Sequence, residues 1–197
     1  MVLSFEAIRL LPAKYAPFLD KLAMIYEDMD RDYKMASDYY GFICSGCRDN
    51  CCYTRFYHHT FLEYLYILKG YNGLEHDKKS EIKDRALEVT GKTVEADKKG
   101  SPVRLMCPLN FDGLCILYDF RPMICRLHGI PYELLKPGQS VTYSPGCEAF
   151  MIQCKSKDYF TFDRTRFYIK MSGLERELRQ AIGVGQKIKL TIAQMMT

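Results

Sequence analysis

Nine cysteines in 197 residues are the part of this chain best suited to chemistry, and eight of them fall between residues 44 and 147. The first group reads Cys44-Ser-Gly-Cys47-Arg-Asp-Asn-Cys51-Cys52. A Cys-x-x-Cys step lets two thiolates reach one ion, because the intervening residues form a tight turn. Side chains of neighbours on extended backbone point to opposite faces. Cys51 and Cys52 therefore either serve different surroundings or bend inward together. The second group, Cys107, Cys115, Cys125 and Cys147, is dispersed, and each member lies close to a turn residue: Pro108, Gly113, Pro122 and Gly146. A backbone that turns at each cysteine can present its thiolate toward a shared point. Cys154 stands apart near the last long helix and reads as a small buried hydrophobe.

Compartment decides what such a set is for. Residues 1–19 carry Glu6, Arg9 and Lys14 within their apolar stretch and show no small-residue cleavage site, so no signal peptide is expected. No apolar run reaches the roughly 18 residues that a membrane span needs. The expected location is the cytoplasm, where clustered cysteines bind metal or do redox work more often than they pair. An odd number of cysteines also suits a disulfide framework poorly. The formal charge of +4 is spread along the chain rather than concentrated, which argues against a nucleic-acid surface. Soft thiolates select zinc or iron–sulfur over calcium or magnesium. Spacing alone leaves those two level, since only one Cys-x-x-Cys pair is present where zinc ribbons use two.

The elements that must hold these cysteines are mostly helical. Leu19, Leu22, Tyr26, Met29, Tyr33, Ala36 and Tyr40 recur at three- and four-residue steps, which predicts a helix over 19–40 ended by Gly41. Its Tyr- and Met-rich stripe reads as core packing. Thr60 caps a short helix over 61–69 that turns Phe61, Leu65 and Leu68 inward. A charged outer helix over about 77–98, interrupted near Gly91, offers only Ile82, Ala86 and Val89 to the core. The final helix, 163–182, is capped by Asp163 and buries Phe167, Met171, Leu174, Leu178 and Ala181. Between them, Asp112-Gly113 reads as a hairpin turn leading into Cys115, and 141–143 as a further strand. The tail, 186–197, is weakly patterned. The fold class expected is mainly α (α+β), with helices packed around a small irregular cysteine-rich core containing one or two short β-hairpins. One domain is expected over 1–197, its cysteine core spanning 44–147. Nearly half the residues are apolar, enough to bury a real core.

Several residues beside the cysteines have two readings. Arg121 and Arg126 flank Cys125 and either offset the charge of a thiolate-rich centre or form structural ion pairs, Arg121 with Asp119. His128, one helical turn after Cys125, either ligates, orients a ligand, or serves as an ordinary polar residue. Tyr53 and Tyr118 either shield the centre from water or belong to the core. His58-His59 lacks a partner at metal-finger spacing. Gly183-Val-Gly185 follows a helix rather than a strand and lacks a third glycine, so it is not a nucleotide loop.

The run Cys107-Pro-Leu-Asn-Phe-Asp-Gly-Leu-Cys115-Ile-Leu-Tyr-Asp-Phe-Arg121-Pro-Met-Ile-Cys125-Arg126-Leu-His128-Gly resembles the YkgJ-like, or CxxCxxCC, cysteine-cluster family. That family's signature is a Cys-Pro, a turn with Cys-x-Ile-Tyr, and Arg-Pro-x-x-Cys-Arg, preceded by an upstream cysteine cluster. The resemblance covers residues 44–147. The chain departs from the pattern with three residues, not two, between Cys47 and the vicinal pair. The resemblance implies a zinc- or iron-chelating domain with eight metal ligands: Cys44, Cys47, Cys51, Cys52, Cys107, Cys115, Cys125 and Cys147. Eight thiolates serve either two four-cysteine sites or one site with structural thiols. Similar clusters in flagellin lysine methylases hold an iron–sulfur centre, which tips the expectation toward a 4Fe–4S type cluster, with zinc as the alternative cofactor. The function expected is a cysteine-ligated iron–sulfur protein with a redox or enzymatic role, an oxidoreductase if it is an enzyme. A zinc-stapled protein-binding module is the alternative, and lysine methylase-like activity the third reading. The partner expected is a protein or a small molecule, without nucleic acid or membrane.

Overall fold

In a computed structural model of the chain, the described residues are 8, 11–44, 51–154 and 156–197, with residue 51 described by its backbone alone. The architecture is mainly α with two small antiparallel hairpins, in keeping with the sequence expectation. No helix among the described residues is long and apolar enough to cross a membrane. The chain divides into two compact units. One takes 1–49 and 123–184, the other 50–122 and 185–197.

In the first unit, helix α1 (Pro12–Tyr40) buries Leu19, Leu22, Tyr26, Met29, Ala36 and Tyr40, as the periodicity predicts, while Tyr33 is only half-buried. Each such side chain contributes about 1.5–3 kcal/mol of apolar burial. The helix starts earlier than expected because Pro12 occupies its first turn, where the missing N–H costs nothing. Pro17 gives up one backbone bond without ending it. At the other end Gly41 adopts a left-handed φ of 64° and returns its N–H to Asp38. Hairpin strands β3 (Tyr132–Leu135) and β4 (Val141–Ser144) pair Tyr132 with Ser144 and Leu135 with Val141. The expected strand over 141–143 is therefore present, and its partner β3 is an addition. Helix α5 (Glu148–Cys154) was also not anticipated.

Helix α6 (Thr165–Ile182) packs on α1, burying Phe167, Met171, Leu174, Leu178 and Ile182. Ala181 is exposed, because the step from Leu178 to the buried face is four residues and lands on Ile182. The N-cap is Arg164 rather than Asp163, although the Asp163 carboxylate still accepts the Thr165 amide at 2.8 Å. Lys170 and Asp28 join the two helices at 2.8 Å.

In the second unit, helix α2 (Phe61–Asn72) is buried on nearly every side, including Phe61, Leu62, Tyr64, Leu65, Ile67 and Leu68. Thr60 caps it as predicted, accepting the Glu63 amide at 3.2 Å. Helix α3 (His76–Lys98) lies outside and buries only Ile82 and Ala86 fully. It runs without a break through Gly91, an isolated glycine well inside a 23-residue helix, whose cost of about 1 kcal/mol relative to Ala is too small to end it. The tail is not shapeless: helix α7 (Ile192–Met196), opened by a Thr191–Gln194 capping box, packs on α3 and buries Ala193, Met195 and Met196. Its apolar residues are too few to show a period, which is why the sequence concealed it. Strands β1 (Asn110–Phe111) and β2 (Leu114–Cys115) form the expected hairpin, with φ positive at Asp112 (51°) and Gly113 (86°).

Two glycines on neighbouring helices behave oppositely. A Cβ at Gly70 would meet the Phe120 ring at 2.4 Å, whereas one at Gly91 would meet nothing. Gly91→Ala is expected to stabilise by about 0.5–1 kcal/mol through helix propensity. Gly70→Ala is expected to destabilise by about 1–3 kcal/mol through overpacking. Chemical denaturation of the two variants checks both signs.

Candidate metal-binding cysteines

Backbone bonds, not regular structure, set the cysteines of the second unit. The Cys107 amide donates to the Cys52 carbonyl at 2.9 Å, beside the short turn at Cys51–Tyr53. The Cys107 carbonyl then accepts the Asn110 amide at 3.0 Å, and Asn110 stands opposite Cys115 in the hairpin. Arg85 of α3 fixes that hairpin from outside. Its guanidinium donates to the Asn110 carbonyl at 2.9 Å and lies 4.1 Å from the centre of the Phe111 ring. Cys52, Cys107 and Cys115 are all half-buried around this junction. Burial pushes the Cys115 thiol up, the neighbouring Cys52 adds to the rise, and the Leu117 backbone and Arg121 oppose it.

Arg121 is the charged side chain that opposes the rise at Cys115. Its Nε donates to the Tyr118 carbonyl at 2.8 Å, and its guanidinium stacks 3.4 Å above the Tyr118 ring. Tyr118 is 55% exposed, which removes the core role expected of it. Tyr53 is half-buried beneath Arg104.

The first unit places Cys125 in helical turn α4 (Met123–Arg126), directly after Pro122 as the sequence suggested. Arg126 is buried, pairs with Asp30 at 2.5 Å and covers the Tyr26 ring, so it ties the turn to α1. The three carbonyls that follow are each claimed by a different element. Leu127 accepts from the Arg164 guanidinium, His128 from the Tyr33 hydroxyl at 2.9 Å, and Gly129 from the Cys147 amide at 2.9 Å. His128 is half-buried, and its backbone carbonyl takes the Tyr33 hydroxyl. The Cys147 sulfur accepts the Phe150 amide at 3.4 Å. Gln153 of α5 clamps the backbone of Ile43, which delivers the exposed Cys44 beside that helix. Cys154 is buried and donates to the Tyr40 carbonyl, as expected of a structural thiol.

Arg164 and Gln153 do not stand out in the sequence, and Tyr33 does so only as part of the apolar stripe of α1. Arg164 is the least conspicuous of them, a single arginine before a helix. It is 2% exposed, lies 3.6 Å above the Tyr132 ring, and has no acidic partner among the described residues. Burial pulls its guanidinium down to about 10, which leaves it charged at neutral pH. Gly146 left a signal in the sequence, as the turn residue beside Cys147.

His58, left unassigned, is buried, with Nδ1 3.9 Å from Glu63 and backbone bonds in both directions to Leu190. Cys47 and the Cys51 side chain lie outside the described residues. Among the described residues, no group of three or more His, Cys, Asp or Glu side chains is gathered closely enough to hold a metal ion. By donor chemistry the thiolates suit zinc or iron–sulfur. Each unit contributes three described members of the eight.

Two measurements follow from this geometry. Gly146 has φ 87°, and a Cβ there would lie 2.6 Å from the Gly129 carbonyl oxygen. Gly146→Ala is expected to cost about 2–4 kcal/mol, from left-handed strain and overpacking together, read by denaturant unfolding. In metal-free, reduced protein, burial raises the Cys115 thiol and half-covers it, whereas Cys44 is exposed to reagent. Iodoacetamide at about pH 8 is then expected to label Cys44 first, and the gap to close as pH rises, because the thiolate is the nucleophile. Peptide mass spectrometry reads both rates, and equal labelling would remove the burial argument. No family model matches the chain, and no curated protein and no solved structure matches it.

Proposed function

We propose that this chain is a cysteine-ligated metal protein whose centre is an iron–sulfur cluster serving a redox or enzymatic role. The observation that carries the reading is the junction at which the Cys107 amide bonds the Cys52 carbonyl while the hairpin turns Cys115 back beside it. The backbones that carry Cys52, Cys107 and Cys115, from distant parts of the sequence, are thereby linked, although their side chains are not gathered as a metal site. Half-burial supports the reading too, since ligand thiolates need access during assembly and shelter afterwards. The motif resemblance supports iron–sulfur over zinc. The candidate ligands are Cys52, Cys107 and Cys115 in one unit and Cys44, Cys125 and Cys147 in the other, with Cys47 and Cys51 completing the set of eight, for one centre or two. When bound, an iron–sulfur cluster supplies one-electron chemistry. Arg121 offsets thiolate charge near Cys115.

The test is elemental analysis of full-length protein purified without oxygen. Iron and acid-labile sulfide in equal amounts, with a brown chromophore, are expected. Tightly bound zinc with no chromophore would replace this reading by a zinc-stapled binding module. Colourless protein that takes up neither metal after anaerobic reconstitution would overturn metal binding altogether.

A further inference from the structure

The β3–β4 hairpin of the first unit has two edges, and they differ. On the β3 side, the Glu133 amide donates to the Phe162 carbonyl and the Glu133 carbonyl accepts the Arg164 amide, both at 3.0 Å. The Leu135 amide donates to the Thr165 hydroxyl at 2.9 Å. In an antiparallel pair, successive residues aim their peptide groups alternately at the partner strand and away from it. Glu133 and Leu135 point away from β4, so the residues opposite them, Tyr143 and Val141, point away from β3. Both therefore aim an N–H and a C=O out of the sheet, and among the described residues none of these groups is bonded. The edge is also unguarded. Exposed edges are commonly blocked by charge, proline or a bulge. Residues 139–144 contain neither charge nor proline, and 141–144 pair with β3 in unbroken register. Leu134 is buried and Tyr132 lies under the Arg164 guanidinium, so alternation puts Leu135, Val141 and Tyr143 on the outer face. There they are 47%, 55% and 57% exposed.

We propose that β4 is the seam of a homodimer, adding antiparallel to β4 of a second copy with Thr142 on the two-fold axis. This register uses every free group. Val141 of each copy stands opposite Tyr143 of the other, and the two exchange N–H···O=C bonds. Two residues per copy, each with one donor and one acceptor, give four bonds across the seam. Other registers lose bonds. Centred on Tyr143, the seam would set Val141 opposite Pro145, which has no N–H. Centred on Val141, it would set Tyr143 opposite Gln139, whose amide already bonds the Lys136 carbonyl. Centred between residues, it would set an outward residue against an inward one. Side chains fit the same register: Val141 meets Tyr143 twice and Thr142 meets itself, both pairings that stabilise sheets. A second copy suits this edge because any charge on the axis would face its own kind, and β4 carries none. Leu135 beside Val141 extends the apolar face across the resulting four-stranded sheet. The seam is short, so the dimer dissociates on dilution. None of this depends on the metal-binding reading.

Sedimentation velocity of the full chain tests the seam, in reducing buffer that keeps the exposed Cys44 from linking copies. Wild type is expected to pass from monomer to dimer between micromolar and near-millimolar protein. Val141→Lys, a change at an exposed side chain, is expected to keep the far-ultraviolet circular dichroism and lose the dimer. Thr142→Cys reads the register. It sets two thiols opposite each other at a pair without hydrogen bonds, where Cα atoms lie about 4.5 Å apart, within disulfide reach. Oxidised glutathione takes the two electrons and two protons of that pair and leaves as two reduced glutathiones. Peptide mass spectrometry is expected to find position 142 linked to itself, and Ser140→Cys is expected not to link to itself. Wild type that stays monomeric at every concentration would overturn the proposal and leave the edge to a strand of another protein. A dimer that survives Val141→Lys, or Ser140→Cys linking to itself as readily as Thr142→Cys, would overturn it as well.

Discussion

Buried peptide groups must find partners, and this requirement governs the described segments around Cys107, Cys125 and Cys147. Residues 127–129 cannot pair within a helix or a sheet, yet each of their carbonyls is bonded: by a guanidinium, a phenol and an amide drawn from three separate elements. The positions of Cys125 and Cys147 follow from that settlement. The same rule acts at Cys107, whose amide and carbonyl are both used, one by Cys52 and the other by Asn110. Irregular backbone is thus fixed as firmly as regular backbone, by donors sent from the helices around it.

The helices themselves divide the labour. In the first unit, α1 supplies an apolar stripe for α6 and, from the same turns, Asp30 and Tyr33 for the cysteine-bearing segment. In the second, α2 is almost wholly buried, and α3 stands outside to hold the β1–β2 hairpin through Arg85 and Lys78 on the Phe111 ring. Packing and polar anchoring are thus carried by one helix, α1, in the first unit and by two, α2 and α3, in the second.

Periodic features could be read directly from the sequence. The α1 and α6 stripes, the Thr60 cap and the Asp112-Gly113 turn all express local rules, and all are present. Short elements were hidden: α5 and α7 are too brief for a 3.6-residue period to emerge, and β3 follows a proline and mixes polar with apolar residues. Among candidate site residues, the cysteines announced themselves by type and spacing. Arg164 and Gln153 could not, because their importance lies in which distant carbonyl or peptide they reach, and no local pattern encodes that. Arg126 was visible as a neighbour of Cys125, but its partner Asp30 lies on a helix read only for its apolar face.

The buried guanidinium of Arg164 has a consequence for how the first unit responds to its surroundings. Its charge faces the π cloud of Tyr132 and a peptide oxygen, with no carboxylate opposite. Mobile ions cannot penetrate to such a contact, so dissolved electrolyte leaves it untouched. Pairs at the solvent boundary, such as Lys21 with Glu177, weaken as electrolyte is added. The segment next to Cys125 is consequently moored by an attraction that ionic strength does not govern, while the outer fastenings between α1 and α6 loosen around it.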